Sequence, residues 1–295
     1  MFEHVISIVA PLFLIVGVGY FYGARVRPEM RITNQLIMDV FMPALIFSVM
    51  IRDDFHPGQY LYLMLGGALL MLGSGVLAYL LARSLGINWR SFVPSAMFSN
   101  WANLGIPLYV FTLGDLALGG GIMLVVVGNV LCFTIGTYIY SSKLSGLDVV
   151  KTPIIVAVIL GGLINFSPVS VPQILSQPID MLGQVVIPLM LFSLGVRLTH
   201  VSWSDSAVGI VMACFCPIVG VSLAMLLVHV LPLSELHAKI LVLFGVLPPA
   251  VINFMLAEQY QNDPEKVASM VLIGNLVSLI SIPLVLFLVL SRQLV

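Results

Sequence analysis

In this chain of 295 residues, 60% of the side chains are hydrophobic and 8% are charged, which is more apolar surface than a water-soluble fold of this size can bury. A formal net charge of −1, with 12 scattered Lys and Arg, excludes a nucleic-acid-binding protein, because phosphate neutralisation needs clustered basic residues. The sequence therefore predicts an all-α integral membrane protein whose partner is the lipid bilayer.

Ten apolar segments are long enough, or nearly so, to cross a bilayer core about 30 Å thick, which takes about 20 helical residues. They are residues 4–23, 32–51, 59–82, 91–113, 116–140, 152–166, 179–198, 206–231, 236–259 and 264–290. The first lacks a small-residue cleavage site, so we interpret it as a retained helix. Nine of the 12 Lys and Arg follow odd-numbered segments, and the positive-inside rule then places both termini outside.

Two sequence patterns recur at nearly one spacing. The second segment contains Pro43, Phe47, Ser48 and Arg52, and the seventh contains Pro188, Phe192, Ser193 and Arg197, each 145 residues later. A Gly-Asn pair ending in Asn129 recurs at Asn275, 146 residues later. Five segments per half is an odd number, so the second half enters the membrane from the opposite side. The sequence thus predicts a 5+5 inverted repeat of residues 1–141 and 152–295, the alternative being recurrence for helix packing alone.

The fourth and ninth segments are the ones we expect to be interrupted, and paired interruptions mark the binding site of inverted-repeat transporters. The fourth reads SNWANLGIPLY and the ninth VLPPAVINFMLAEQY. Proline removes a backbone donor and clashes with the preceding turn, and Pro107 and Asn253 are again 146 residues apart. The expected substrate-binding residues are Asn100, Asn103, Gly105, Pro107, Pro248, Pro249 and Asn253, supported by Ser48, Ser193, Asn129 and Asn275.

The chemistry of such a site favours an anion. Half-helix N-termini carry partial positive charge, and asparagine amides donate to a carboxylate. Carbonyl groups from the same interruptions would instead suit a cation, and asparagines that only join neighbouring helices are the other alternative. Asp39 and Glu258 are ionisable residues inside predicted segments and are candidates for carrying a coupled proton, although Glu258 is near enough to a segment end to reach the interface.

The runs NWANLGIP and FMLAEQYQNDP resemble the auxin efflux carrier family, in particular its compact bacterial, malonate-carrier-like members. The resemblance extends over the whole chain. It implies a fold like that of bile-acid symporters and sodium–proton antiporters, with segments 1, 2, 6 and 7 as scaffold and segments 3–5 and 8–10 as a moving transport domain. It also implies elevator-type movement of a small organic anion by a homodimer in the bacterial inner membrane.

The family's crossover Asn and Pro of helix four match Asn100 and Pro107. Plant members have a crossover proline in helix nine where this chain has Asn253, and the long cytoplasmic loop of many of them corresponds here only to Ser141–Lys151.

The function predicted from these features is secondary active transport of a small carboxylate, such as an auxin-like acid, malonate or malate, with proton coupling as an option and no cofactor or metal. A sodium-coupled symporter or cation–proton antiporter of the same fold is the nearest alternative, but the buried acidic pair that antiporters use is missing beside Pro107 and Asn253. An intramembrane enzyme is not expected, because paired aspartates, an HExxH motif and a facing Ser-His set are absent from the sequence. A channel would be recognised by conductance far above carrier turnover.

Overall fold

A computed structural model describes residues 2–52, 55–141, 152–167, 171–199 and 206–291, and the regular secondary structure of this part of the chain is helical. The first half contains the α-helices Phe2–Val26 (α1), Met30–Leu36 (α2), Met42–Met50 (α3), Leu61–Leu85 (α4), Trp89–Met97 (α5), Ile106–Leu113 (α6), Leu116–Leu131 (α7) and Thr137–Ser141 (α8). The second half contains Pro153–Asn165 (α9), Gln173–Gln184 (α10), Val186–Arg197 (α11), Ser206–Val230 (α12), Glu235–Gly245 (α13), Val251–Gln259 (α14) and Pro264–Leu290 (α15).

Short π-helical and 3-10 turns connect some of these helices directly. The π turns at Ile37–Phe41 and Cys132–Gly136 join α2 to α3 and α7 to α8, so that each pair forms one continuous rod. A third π turn, Trp101–Gly105, leads into α6, and the 3-10 turn Pro57–Tyr60 leads into α4. A π turn inserts one extra residue into the helical ladder and is frequent at functional sites.

The described helices confirm a multi-pass membrane protein. Six helical stretches are long and apolar enough to cross a bilayer, judged by length and composition: residues 32–50, 57–85, 116–141, 173–196, 206–230 and 264–290. Shorter apolar helices cover residues 10–26, 101–113 and 153–165. The 13 residues of α9 rise only about 20 Å, less than the apolar thickness of a bilayer, so the count of ten crossings stays a prediction.

Large apolar side chains cover the outside of the helices as well as the interior. Leu61, Val76 and Leu80 of α4 and Ile218 and Leu226 of α12 are each 59–66% exposed. Helices that are apolar all round are suited to lipid, where exposed hydrocarbon has no cost. The long helices therefore face lipid on one side and protein on the other.

Glycines allow helix backbones to touch at two places. A Cβ atom added at Gly19 of α1 would lie 2.1 Å from the Phe192 carbonyl oxygen, and one added at Gly195 of α11 would lie 1.9 Å from the Val16 carbonyl oxygen. A Cβ at Gly220 of α12 would lie 2.0 Å from the carbonyl oxygen of the last α13 residue. Only glycine permits such approach, so these contacts fix the spacing of α1 against α11 and of α12 against α13.

The segments 91–113 and 236–259 are each two helices, as the expected interruptions require, and most other helix ends differ from the predicted ones by a few residues. The seventh segment begins at Gln173 rather than at 179, because α10 accommodates Pro178 in its interior. Most of the predicted loop after residue 141 is outside the described residues.

Candidate functional site

Two unwound segments pair with each other in the interior of the chain. After α5 ends at Met97, residues 98–100 are not helical, and after α13 ends at Gly245, neither are residues 246–250. The Asn100 N–H donates to the Pro248 carbonyl oxygen at 2.7 Å, and the Ala250 N–H donates to the Phe98 carbonyl oxygen at 3.0 Å. This is an antiparallel bridge centred on Ser99 and Pro249. We call residues 98–100 and 246–250 the crossover.

The two halves of the crossover unwind for different reasons. Pro248 and Pro249 have no N–H to continue α13, and a proline pushes the residue before it out of the helical region. Residues 98–100 contain no proline, and the bridge pairs the Asn100 N–H and the Phe98 carbonyl oxygen, which the unwinding exposes. The second interruption is therefore fixed locally, whereas the first depends on its partner.

The prediction that the fourth segment unwinds at Pro107 was wrong. Pro107 is the second residue of α6. The unwound backbone ends at Asn100, seven residues before Pro107. Proline is tolerated in the first turn of a helix, where its missing N–H would have no partner in any case. The π turn upstream begins at the Asn100 carbonyl oxygen, which accepts from the Leu104 and Gly105 N–H groups at 3.3 Å and 3.0 Å.

The crossover brings helix ends of both signs together. The π turn leading into α6 starts beside it and α14 begins at Val251, so two N-terminal ends with free N–H groups meet there. The C-terminal ends of α5 and α13 contribute carbonyl groups. This arrangement can bind an anion through amides or a cation through carbonyl oxygens.

Asn253 is fully buried and ties the two broken helices together. Its side-chain amide donates to the Phe98 carbonyl oxygen at 2.7 Å and to the Ala250 carbonyl oxygen at 3.0 Å. Its side-chain oxygen Oδ1 is buried and has no hydrogen-bond partner among the described residues. A buried amide oxygen that accepts no hydrogen bond destabilises the fold. The Asn253 oxygen is therefore an acceptor that a bound ligand or water could satisfy.

Asn275 of α15 contacts the crossover directly. Its side-chain amide donates to the Pro249 carbonyl oxygen at 3.1 Å and to the Val271 carbonyl oxygen at 2.7 Å. Its Oδ1 lies 3.5 Å from the side-chain nitrogen of Asn100, which is 2% exposed. Among the described residues, the repeat-related Asn129 donates only to the Val125 carbonyl oxygen of its own helix, at 2.8 Å. The sequence repeat is therefore not matched by a repeat of contacts at these two positions.

Asn103 rather than Pro107 is the structural counterpart of Asn253. Asn103 follows the bridge residue Ser99 by four positions, just as Asn253 follows Pro249 by four. Its side chain is half-buried and makes no hydrogen bond to the described residues. The amide of Asn103 is thus a second uncommitted polar group beside the crossover.

Gly105 makes room for two neighbours of the crossover. A Cβ atom there would lie 3.1 Å from a methyl group of Leu247 and 3.1 Å from the hydroxyl of Tyr109. The Tyr109 hydroxyl is fully buried and has no partner among the described residues. Sequence reasoning missed Tyr109, because an isolated tyrosine in an apolar run is not distinguished from a packing residue.

The structure does not bring the remaining predicted residues to the crossover. Asp39, in the π turn Ile37–Phe41, and Glu258, near the end of α14, are both exposed. Ser48 donates to the Leu45 carbonyl oxygen of its own helix at 3.1 Å, and the buried Ser193 hydroxyl has no partner among the described residues. The two candidate proton carriers are thus on the outer surface of the chain.

The run QNDP (residues 261–264) forms hydrogen bonds between helix ends and does not contact the crossover directly. Asp263 accepts from the Asn88 side-chain amide at 2.7 Å, which ties the start of α15 to the start of α5. Asn262 donates to the Tyr140 carbonyl oxygen at 2.8 Å. The Tyr140 hydroxyl in turn donates to the Asn253 carbonyl oxygen at 3.2 Å. This motif therefore reaches the crossover indirectly, through α8.

A small cavity adjoins the crossover. Its volume is about 20 Å³, enough for about one water molecule. Apolar side chains of α1, α6, α11 and α15 line it, and its polar groups are Asn275 and Ser278. The crossover is therefore nearly closed to a solute in this conformation.

Two interrupted helices crossing at buried asparagines, within a bundle of apolar helices, define a multi-pass membrane protein with a polar site in its interior. The family profile described as membrane transport protein matches residues 4–151 and 140–286. The chain belongs to this family, the auxin efflux carriers, and the predicted resemblance is confirmed. It is a membrane transport protein.

Two archaeal proteins resemble the chain over nearly their full length. One, named an uncharacterized transporter of Methanocaldococcus jannaschii, is 24% identical over 297 residues, which cover 94% of this chain and 96% of the relative. The other, an uncharacterized transporter of Methanothermobacter thermautotrophicus, is 26% identical over 306 residues, which cover 96% of each chain.

Proposed function

We propose that the protein is a secondary active transporter that moves a small organic anion across the cell membrane by binding it at the crossover. The observation that carries this proposal is the antiparallel pairing of two unwound segments beside two helix N-termini and buried asparagines. Irregular backbone within a membrane protein is tolerated where it is buried in protein or lines a polar path, and the amides there suit a carboxylate. Malonate, malate and auxin-like acids all fit this chemistry.

Paired contacts support the inverted repeat. Gly75 packs against Met97, the last residue of α5, and Gly220, 145 residues after Gly75, packs against the last residue of α13. Likewise Gly128 packs against Trp101, and 146 residues later Gly274 packs against the crossover prolines. The helices also pair alike, since α1 packs on α11 while α9 packs on α3. Ten crossings in two opposed halves account for these pairs, and the distribution of Lys and Arg supports a topology with both termini outside.

We propose that this arrangement moves the solute by an elevator motion. In it, α1–α3 and α9–α11 are the scaffold, and the remaining helices carry the crossover as a transport domain. The small cavity lies between the two groups, because α1 and α11 form one wall and α6 and α15 the other. The close contacts of Gly19 with Phe192 and of Gly195 with Val16 would hold α1 rigidly against α11 while the other group slides.

A homodimer is supported by polar residues on the outer face of the proposed scaffold. Gln35 and Asp39 are exposed, and 145 residues later the sequence has Asp180, which is half-buried, and Gln184, which is exposed. Polar side chains that face lipid are costly, and a second copy of the chain would remove them from it. A mass of one chain for the protein in lipid nanodiscs would contradict this assignment.

Sodium coupling is the second candidate function. The unpartnered Asn253 side-chain oxygen and the carbonyl ends of α5 and α13 are oxygen ligands of the kind that hard cations prefer. Uptake that requires sodium would select this candidate. Proton coupling through Asp39 or Glu258 has no support from position, since both carboxylates are exposed.

The proposal is tested by malonate uptake into proteoliposomes containing the full chain. Replacing Asn100 by Ala removes a crossover amide, and we expect uptake to fall at least tenfold, as for other groups that bind a charged ligand. Asn129→Ala is the matched control, because Asn129 is a buried asparagine that bonds only within its own helix. Equal uptake by the two folded variants would refute the assignment of the crossover as the binding site.

A further inference from the structure

A second polar cleft opens where the ends of several helices meet, and it is separate from the crossover. Its volume is about 540 Å³. It lies between the residues that follow α3 and the first residues of α4, α7 and α13. Its polar lining consists of Arg52, Gln59, Tyr60, Asp115, Ser234 and His237. We call it the outer cleft, because the predicted topology places these ends outside.

Three helix N-termini converge on this cleft. The helices α4, α7 and α13 are 25, 16 and 11 residues long, and each begins at its wall. In α13 the Ser234 hydroxyl accepts from the His237 N–H at 3.2 Å, whereas α4 and α7 have no side-chain cap. The first N–H groups of α4 and α7 donate to the turns that precede these helices, so it is the dipoles of the three helices that make this wall of the cleft positive.

Side-chain charge adds to this potential at one position. Arg52 lines the cleft and is exposed, and its side chain forms no ion pair or hydrogen bond with a described side chain. The nearby Glu235 carboxylate is paired with Lys239, and the lysine offsets its contribution to the electrostatic potential in the cleft. Asp115 opposes the effect as an acidic residue of the lining. Among the described residues that line it, the cleft therefore has one arginine and three positive helix ends against one carboxylate.

We propose that the outer cleft is a second, weaker binding site for a small carboxylate anion, held by Arg52 and the N-termini of α4, α7 and α13. The proposal rests on the proposed transport of organic anions and adds a site through which the solute passes between the crossover and the outside. A cleft of this volume has the size of a typical small-molecule site. Arg52 also belongs to the sequence repeat, with Arg197 at its equivalent position 145 residues later.

Electrostatic capture of this kind has two properties that a structural role of Arg52 would not have. Its strength falls as salt is added, because exposed charges are screened beyond about 8 Å at physiological ionic strength. It is retained by lysine, which keeps the charge, and lost with glutamine, which keeps much of the shape. A comparison of Arg52→Lys with Arg52→Gln therefore distinguishes the effect of the positive charge on binding from the effect of side-chain packing.

The experiment is calorimetric titration of malonate into the purified full chain at low and at high salt. We expect two sites, and we expect Arg52→Gln to weaken the weaker site about fivefold at low salt, with a smaller loss at high salt and a smaller loss for Arg52→Lys. Arg83→Gln is the charge-matched control, because 21 residues of α4 separate Arg83 from Tyr62 in the cleft, a rise of about 31 Å.

Two outcomes would overturn the proposal. One is a single malonate site in the unmodified protein, and the other is an equal loss of affinity in Arg52→Gln and Arg83→Gln. The proposed function has a separate readout in the same titration, because Asn100→Ala should remove the tighter site and leave the weaker one. If Asn100→Ala leaves both sites intact, the crossover assignment fails while the outer cleft stands.

Discussion

Asn275 and Asn129 occupy equivalent positions in the sequence repeat, yet the structure predicts very different effects when each is replaced by alanine. Asn275→Ala removes the donor to the Pro249 carbonyl oxygen at 3.1 Å and the acceptor 3.5 Å from the Asn100 amide. Both groups left behind are buried. Asn129→Ala removes only a bond to the Val125 carbonyl oxygen, which as part of α7 still accepts its helical hydrogen bond.

The magnitude follows from the groups left unpaired. A buried polar group without a partner costs about 1–3 kcal/mol of folding free energy. The contact between Asn275 and Asn100 is long, so losing it should cost an amount near the lower end of this range. The cavity left by each truncation is the same size, so its cost largely cancels in the comparison. We therefore expect Asn275→Ala to lower the free energy of unfolding by about 2 kcal/mol more than Asn129→Ala does.

Thermal unfolding of the detergent-purified variants measures this difference. An extra 2 kcal/mol corresponds to a Tm lower by about 4–8 °C for a domain of 150–250 residues, and somewhat less for a chain of this length. Equal Tm values for the two variants, or a lower one for Asn129→Ala, would refute the contact between α15 and the crossover.

Two further predictions concern packing. Tyr109→Phe removes a buried hydroxyl that has no partner among the described residues, so we expect an unchanged or higher Tm, and a loss of several degrees would mean that the hydroxyl is hydrogen-bonded. Gly220→Ala places a Cβ atom 2.0 Å from the Gly245 carbonyl oxygen, so we expect a loss of about 3 kcal/mol or more, because α12 must move away from α13. Gly17→Ala is its control, since a Cβ there meets nothing within 4 Å, and a Tm equal to that of Gly220→Ala would contradict the close packing.

The sequence predicts the interruption of the ninth segment well, because its cause is local. Pro248 and Pro249 cannot continue a helix in any environment, and the structure unwinds the chain at both. The interruption of the fourth segment was placed seven residues too late, at Pro107. Residues 98–100 unwind where the bridge to Pro248 and Ala250 pairs the Asn100 N–H and the Phe98 carbonyl oxygen, and a contact across 150 residues leaves no local sequence signal.

The offset of 145–146 residues finds related positions but not their contacts. It assigns the same role to Asn275, whose amide contacts the crossover at Pro249, and to Asn129, whose amide donates to the Val125 carbonyl oxygen of its own helix. Insertion around the interruptions changes the local offset to 150, which pairs Asn103 with Asn253. The sequence does not reveal a change of offset by four residues when the residues that flank the asparagines are mostly apolar.

The acidic residues show a different limit of sequence reasoning. Asp39 and Glu258 were candidates because a carboxylate inside an apolar segment is costly. Their segments are apolar on every side, so hydrophobic periodicity does not tell which face points outward. The structure exposes both, and this places Asp39 where a second copy of the chain would cover it in the proposed homodimer.

The central claim, that the crossover binds the transported anion, is tested most directly by ligand protection of a thiol placed there. Ser99→Cys would be introduced into a chain in which Cys132, Cys214 and Cys216 are replaced by Ala, and labelling by a small thiol reagent would be followed in proteoliposomes. We expect malonate to slow the labelling and chloride at equal ionic strength to leave it unchanged. A labelling rate that malonate leaves unchanged, in protein that still transports it, would show that the anion does not bind at the crossover.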